Sequence, residues 1–143
     1  MIIENFRHSG IVTKDLKKSL WFYKELLGLK IIKKNKEDKK LMSKILGIND
    51  CDLTTIKLGI GKQIIIELLY FSKINQKKNK IDIFSLGLTH ISLTVKDVKK
   101  IYYKLTKNKI KFISTPTLSL DKKVKLCFCK TPENIFLELV EIL

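Results

Sequence analysis

Two histidines and two glutamates have the types and positions expected of metal ligands. His8 and His90 lie within the short stretches Phe6–Val12 and Leu88–Thr94, which are apolar with β-branched residues, and Glu67 and Glu138 each lie inside an apolar run. A carboxylate surrounded by apolar side chains is costly unless a partner compensates its charge. Imidazole and carboxylate ligands together suit Zn²⁺, Ni²⁺, Co²⁺, Mn²⁺ or Fe²⁺. We therefore predict that these four residues hold one divalent metal.

Simpler explanations exist for each of these residues taken alone. A lone histidine on a strand is more often a packed or edge residue than a ligand, and either glutamate could face solvent from a sheet with one wet face. These explanations do not account for the positions of the four residues, which match within an internal repeat.

The chain contains the same pattern twice. Residues 8–18 align with residues 90–100 at an offset of 82 without a gap, and His, Lys, Asp, Lys and Lys recur at the same places. Residues 65–69 align with residues 136–140 at an offset of 71, and an extra segment in the first half, Asp38–Gly47, accounts for the difference. Each half thus supplies one histidine and one glutamate at equivalent positions.

Apolar periodicity predicts the same order of elements in each half. The predicted strands are Phe6–Val12, Leu29–Lys34, Asp52–Leu58 and Gln63–Phe71 in the first half, and Leu88–Thr94, Ile110–Ser114, Lys123–Lys130 and Ile135–Ile142 in the second. Asp15 and Asp97 are placed to cap the helices, which should end at Gly28 and Asn108. The apolar helix positions are Leu16, Leu20, Tyr23 and Leu27, then Val98, Ile101, Tyr102 and Leu105.

This order predicts an α+β fold of two tandem βαβββ modules. Residues 1–143 would form a single domain, with module one at 1–71, a linker at 72–83 and module two at 84–143. The extra segment Asp38–Gly47 is expected to form a short helix.

The net charge of +15 at pH 7 comes almost entirely from lysine, because Arg7 is the only arginine. Specific nucleic-acid sites usually use arginines with interleaved aromatic residues, so we predict a solvated lysine surface instead. No apolar run reaches the roughly 18–20 residues needed to cross a membrane, and we predict no signal peptide. Cys51, Cys127 and Cys129 are odd in number and should be buried reduced thiols, which favours a cytoplasmic location.

The repeated segments resemble the vicinal oxygen chelate superfamily, which includes glyoxalase I, methylmalonyl-CoA epimerase, extradiol dioxygenases, and the fosfomycin and bleomycin resistance proteins. The segments that carry the resemblance are HSGIVTKDLKKSLWFYKELLGLK, THISLTVKDVKKIYYKL and KTPENIFLELVE. The resemblance implies a U-shaped mixed sheet around a metal held by His8, Glu67, His90 and Glu138. In the turn before the last strand, Asn134 replaces the family's glycine where a positive φ is expected.

The resemblance also implies a metal-dependent lyase or isomerase of the glyoxalase or epimerase type. Such an enzyme abstracts a proton next to a carbonyl and stabilises an enediolate on the metal. Glu138 or Glu67 would be the base, and we favour Glu138. We expect a small anionic carbonyl substrate, such as a thioester, a thiol conjugate or a nucleotide-linked sugar. We also expect a homodimer, with the metal site lying within one chain or shared between two.

Two alternatives remain open at this stage. An iron-dependent ring-cleaving dioxygenase would use two histidines and one carboxylate, so the additional ligand Glu67 counts against it. A non-catalytic small-molecule binding or resistance protein often lacks the four ligands, so their presence counts against that class.

Overall fold

A computed structural model describes residues 2–77 and 80–143 of the chain. The chain divides into two compact units, Met1–Lys78 and Asn79–Leu143. Each unit carries one four-stranded mixed sheet, which confirms the predicted α+β class and the two βαβββ modules. Residues 78 and 79 of the predicted linker lie outside the described residues. The single-domain assignment and the module limits stay predictions.

The first unit forms its sheet in the order β1-β4-β3-β2, in which β1 runs parallel to β4 and the other neighbours are antiparallel. Its elements are β1 (Ser9–Val12), α1 (Leu16–Leu20) with a π-helical continuation (Trp21–Leu26), β2 (Lys30–Lys36), α2 (Lys39–Leu46), β3 (Leu53–Ile60) and β4 (Gln63–Phe71). The predicted helix in the extra segment is confirmed as α2, which Asp38 caps at its start and Gly47 ends with a φ of 64°.

The π-helical continuation of α1 corrects the predicted helix face. The amide of Leu27 donates to the carbonyl of Phe22, five residues back, at 3.0 Å. This wider turn places Phe22, Tyr23 and Leu26 in the core, whereas the predicted inward positions Leu16, Leu20 and Leu27 are only partly buried. A regular period of 3.6 residues misplaces the apolar stripe wherever the helix widens.

Alternation along β4 separates the two faces of the first sheet. Ile66 and Leu68 are fully buried, with Ile56 and Leu58 of β3. Glu67 lies between Ile66 and Leu68 in sequence and so projects from the other face, which we call the open face of the unit. The packed face supplies the core, and the open face is where functional side chains can be displayed.

The second unit repeats this topology with the order β5-β8-β7-β6. Its elements are β5 (His90–Thr94), α3 (Val98–Lys107), β6 (Thr117–Leu118), β7 (Val124–Lys130) and β8 (Phe136–Ile142). Leu137 and Leu139 of β8 are fully buried, while Glu138 between them projects from the opposite, open face. The two units therefore present their glutamates in the same way.

Two sequence expectations about the second unit need correction or refinement. The predicted strand Ile110–Ser114 is wrong, since only a bridge between Phe112 and Cys129 forms before the short strand β6. Pro116 follows closely, and a proline cannot supply the amide that a continuing ladder needs. The helix α3 ends at Asn108 as predicted, but it is the next residue, Lys109, that takes the left-handed conformation, with a φ of 62°. Asn108 donates from its side chain to the Lys104 carbonyl at 2.8 Å.

The strands β1 and β5 both begin later than predicted. The first starts at Ser9, directly after His8, and the second starts at His90 itself. The turn residue Asn134 has a φ of 65°, as expected for a position that a glycine usually fills. Over the described residues, no helix is both long and apolar enough to span a membrane.

Candidate metal centre

His8 and Glu67 meet on the open face of the first unit. His8 immediately precedes β1, and Gly10 of β1 is the register partner of Glu67. His8 Nε2 lies 2.9 Å from Glu67 Oε2. The two side chains are 20% and 15% exposed, so the pair is largely shielded but reachable from solvent.

Lys57 lies beside this pair. It is the register partner of Glu67 across β3 and β4, and its ammonium nitrogen is 3.4 Å from Glu67 Oε1. The two oxygens of Glu67 are thus oriented differently, with Oε2 toward the imidazole and Oε1 toward the ammonium. The lysine side chain is 19% exposed.

His90 and Glu138 occupy the equivalent positions in the second unit but are farther apart. His90 Nε2 lies 3.9 Å from Glu138 Oε2, which is too long for a hydrogen bond. The Thr89 hydroxyl is 3.1 Å from His90 Nδ1, and the Phe128 ring meets the imidazole edge-to-face at 5.5 Å between centroids. Thr89 and Phe128 hold the ring so that Nε2 is the nitrogen directed toward Glu138.

The donor separation in the first pair is close to that of two ligands on one cation, whereas the separation in the second pair is larger. Ligand bonds of 2.0–2.2 Å place neighbouring donors about 3.0 Å apart in octahedral geometry and about 3.4 Å apart in tetrahedral geometry. The first pair lies close to this range at 2.9 Å, and the second would have to close from 3.9 Å. Both pairs combine an imidazole nitrogen with a carboxylate oxygen, which suits Zn²⁺, Ni²⁺, Co²⁺, Mn²⁺ or Fe²⁺.

Each unit taken by itself offers too few ligands for a protein metal site. Over residues 2–77 and 80–143, no three His, Cys, Asp or Glu side chains come together as a metal-binding group. Protein zinc sites use three or four protein ligands, so neither His–Glu pair is sufficient alone.

The two histidines differ at the ring nitrogen that points away from the carboxylate. His8 Nδ1 is buried and has no hydrogen-bond partner among the described residues, whereas His90 Nδ1 has the Thr89 hydroxyl. A partner at the second nitrogen is what usually orients a metal-binding histidine. On the carboxylate side, His8 Nε2 lies at hydrogen-bond distance from Glu67 Oε2, 2.9 Å.

The cysteines do not add to the set of candidate ligands. Cys127 and Cys129 alternate with Phe128 along β7 and lie on the buried face, away from Glu138. Burial raises the pKa of the Cys127 thiol to about 11 and that of Cys129 to about 12, so both stay protonated at neutral pH. All three cysteines are free and buried, as the sequence predicts.

Sequence reasoning identified the two pairs but missed their neighbours and the hydrogen bond of Glu141. Lys57 and Phe128 stand at the same offset of 71 as the two glutamates, and strand pairing alone makes them neighbours of those glutamates. Glu141, on the other face of β8 from Glu138, is partly buried and accepts a hydrogen bond from the Val98 amide at 3.0 Å.

A family model for the Glyoxalase/Bleomycin resistance protein/Dioxygenase superfamily matches residues 5–139 of the chain. No curated protein matches the sequence. Among solved structures, a glyoxalase family protein from Bacillus cereus superposes with a TM-score of 0.88 at 19% identity, covering 99% of this chain and 95% of that one.

Two further solved structures are similar in fold. A glyoxalase family protein from Enterococcus faecalis has a TM-score of 0.70 at 20% identity, covering 99% of this chain and 100% of that one. The trypanothione-dependent glyoxalase I of Leishmania major has a TM-score of 0.71 at 22% identity, covering 97% and 87%. At such identities these likenesses establish the fold alone.

Proposed function

The chain belongs to the glyoxalase/bleomycin resistance protein/dioxygenase superfamily, and from this premise we propose that it is a divalent-metal-dependent lyase or isomerase. The reaction class is removal of a proton next to a carbonyl, as in glyoxalase or epimerase chemistry. The observation that carries the proposal is the recurrence of a His–Glu pair on the open face of both units.

The proposed ligands are His8, Glu67, His90 and Glu138. A bound dication would act as a Lewis acid that polarises the substrate carbonyl and so acidifies the neighbouring C–H. Two imidazoles and two carboxylates would neutralise the ion. The ion in turn would compensate carboxylates that are only 15% and 20% exposed.

Glu138 is the better candidate for the base that takes the substrate proton. Glu67 is held by His8 at 2.9 Å and faces Lys57 at 3.4 Å, so both of its oxygens have partners. Glu138 has only the 3.9 Å approach of His90. A carboxylate without a close partner can reorient toward a substrate C–H at less cost than one whose Oε2 lies 2.9 Å from an imidazole nitrogen.

The proposed substrate is a small anionic carbonyl compound. The excess of lysine over acidic residues supports attraction of an anion, because a positive field raises the local concentration of negatively charged ligands. The similarity in fold to the glyoxalase I of Leishmania major supports carbonyl chemistry as the class to screen first. We further propose that the protein acts as a homodimer in the cytoplasm.

The first experiment measures bound metal by elemental analysis in protein purified without added metal and after reconstitution with Zn²⁺, Ni²⁺, Co²⁺, Mn²⁺ or Fe²⁺. We expect about one ion per pair of modules in the wild type. The affinity for the metal should fall at least about tenfold, or binding should be lost, in each of the variants His8→Ala, Glu67→Gln, His90→Ala and Glu138→Gln. Asp121→Asn is the matched control, since Asp121 lies in an exposed turn and contacts Ser119 and Lys123. Absence of stoichiometric metal under every condition would overturn the proposal.

A mixing experiment then locates the site. One variant carries His8→Ala with Glu67→Gln, and the other carries His90→Ala with Glu138→Gln. If the site is shared between two copies, mixing the two variants restores about one metal per mixed dimer. If each chain forms its own site, mixing restores none.

Proton abstraction is tested on the loaded protein by solvent deuterium exchange at the carbon next to the carbonyl of candidate thioesters and thiol conjugates. Glu138→Gln should lower the exchange rate by at least about 100-fold, the scale of general acid–base catalysis. If the protein binds metal but catalyses no deuterium exchange in any carbonyl compound tested, the protein is a metal-dependent binding protein and the proposed enzymatic function is wrong.

A further inference from the structure

Lys57 differs from most lysines of the chain in its burial. In the part of the chain that the structure describes, only Lys57, Lys125 and Lys130 are partly buried, and the other lysines are exposed. Lys130 donates to the carbonyls of Ile81 and Asn134 and lies over the Phe136 ring. Lys125 is the register partner of Glu141. Lys57 likewise has a glutamate, Glu67, as its register partner, and it is the one of the three whose partner is a proposed metal ligand.

The ammonium of Lys57 makes few contacts with the rest of the described protein. Its one close partner in the described structure is Glu67 Oε1 at 3.4 Å, longer than the usual 2.7–3.2 Å, and it makes no hydrogen bond there. An ammonium has three donors, and covering it without satisfying them is unfavourable. At least two donors therefore remain available on the open face.

The strand on the other side of Lys57 adds a second positive charge. Lys33 of β2 is its register partner, so the two side chains project from the same face at neighbouring positions. Like charges directly opposite each other destabilise a sheet. Glu67 is the one carboxylate in this row and is already paired with His8, so the row carries excess positive charge.

The second unit shows that the fold does not need a cation at this position. Phe128 is the equivalent of Lys57 and the register partner of Glu138, and the unit forms the same sheet with an aromatic ring there. A lysine that packing does not require, placed beside a proposed metal ligand, is better explained by a bound group of opposite charge.

We propose that Lys57 recognises an anionic group, a carboxylate, that the substrate carries close to its reacting carbonyl. This inference rests on the proposed function, because the carbonyl is placed by the metal at His8 and Glu67. Glu67 links the two sites, with Oε2 toward the imidazole and Oε1 toward the ammonium. A carboxylate within a few bonds of the carbonyl would reach the free donors of Lys57.

The test uses two dicarboxylate-type probes that differ by one charge. Malonate and its monoamide, malonamate, are titrated into Co²⁺-loaded protein by isothermal calorimetry, and the Co²⁺ absorption spectrum reports whether the metal site is intact. Both probes can offer one carboxylate to the metal, but only malonate has a second charge for Lys57. Lys57→Met removes the charge at nearly constant length, and Lys57→Arg restores it.

We expect Lys57→Met to weaken malonate binding by about 10- to 100-fold and malonamate binding by less than about threefold, with the Co²⁺ spectrum retained. Lys57→Arg should recover malonate binding to within about tenfold of wild type. Lys33→Met is the matched control, because it removes one charge from the same row at an exposed position. It should change malonate binding by less than about threefold.

Equal losses for both probes in Lys57→Met, or a loss in Lys33→Met as large as in Lys57→Met, would overturn the inference. Failure of the wild type to bind Co²⁺ or any of the other four dications would overturn the proposed function separately. In that case a malonate titration of the metal-free protein, followed by NMR, decides the inference about Lys57. Malonate binding that persists in Lys57→Met, or the absence of malonate binding in the wild type, would refute the inference about Lys57.

Discussion

Two glutamates of β8, three residues apart on opposite faces, should affect stability in opposite directions. Glu141 Oε2 accepts a hydrogen bond from the Val98 amide at 3.0 Å, and Val98 is the fully buried first residue of α3. Glu138 makes no hydrogen bond in the described structure and stands 3.9 Å from His90. The first carboxylate supports a helix start, whereas the second has no comparable structural contact.

The size of each effect follows from these contacts. Glu141→Ala leaves the Val98 amide without its partner, which costs about 1–3 kcal/mol of unfolding free energy. Glu141→Gln keeps an acceptor but loses the negative charge at a helix N-terminus, worth about 0.3–1 kcal/mol. Glu138→Gln removes a mostly buried charge that lacks a close partner, so the metal-free protein should be unchanged or stabilised by up to about 1 kcal/mol.

The assay is urea denaturation of metal-free wild type and variants at pH 7, followed by circular dichroism and tryptophan fluorescence to check that the two probes agree. Adding metal at about 100 times its Kd should stabilise the wild type by about 2.7 kcal/mol and should stabilise Glu138→Gln far less. The reasoning is refuted if Glu138→Gln destabilises the metal-free protein as much as Glu141→Ala does. Glu138 would then be a structural residue.

Three further predictions concern the scaffold. Because burial raises the pKa of Cys127 to about 11 and of Cys129 to about 12 from 9.0, the thiols ionise first in the unfolded chain. Stability should therefore fall between pH 9 and 11 more steeply in wild type than in a Cys127→Ala/Cys129→Ala double variant, as measured by urea denaturation under reducing conditions. Gly59→Ala would place its Cβ 1.9 Å from the Gln63 carbonyl oxygen and should cost about 3 kcal/mol or more; a urea midpoint close to wild type would contradict this. Lys109→Gly removes a side chain from a φ of 62° and should raise the unfolding free energy by about 0.5–1 kcal/mol, whereas an unchanged or lower melting temperature would count against it.

Periodicity was sufficient to predict the features that recur in both halves. The strands that carry Glu67 and Glu138 form as predicted, and so do the helix caps at Asp15 and Asp97. These features are local, because a cap needs three residues and a strand face needs a period of two. Repetition within one chain also provides an internal check that a single motif lacks.

Features that depend on a departure from regular geometry were not predictable. The π-helical turn moves Phe22 and Leu26 into the core, and no pattern of apolar residues distinguishes it from a regular helix with a different stripe. Residues 110–114 are strand-like in type but form one bridge to β7, because Pro116 follows closely and lacks the amide that a continuing ladder needs. The neighbours of the two glutamates also required the register, which strand sequences alone do not specify.

Both units carry a His–Glu pair, but the residues beside the two pairs differ. In the first unit Lys57 faces Glu67, and His8 lies within 2.9 Å of that glutamate. In the second unit Phe128 is the neighbour of Glu138, so an aromatic ring adjoins a carboxylate that no donor approaches closely. Packing alone would favour replacing such a carboxylate with an apolar residue, since an isolated buried charge is costly. The persistence of Glu138 beside Phe128 is therefore better explained by a positive ligand that the chain does not itself supply, which is the role we propose for the metal.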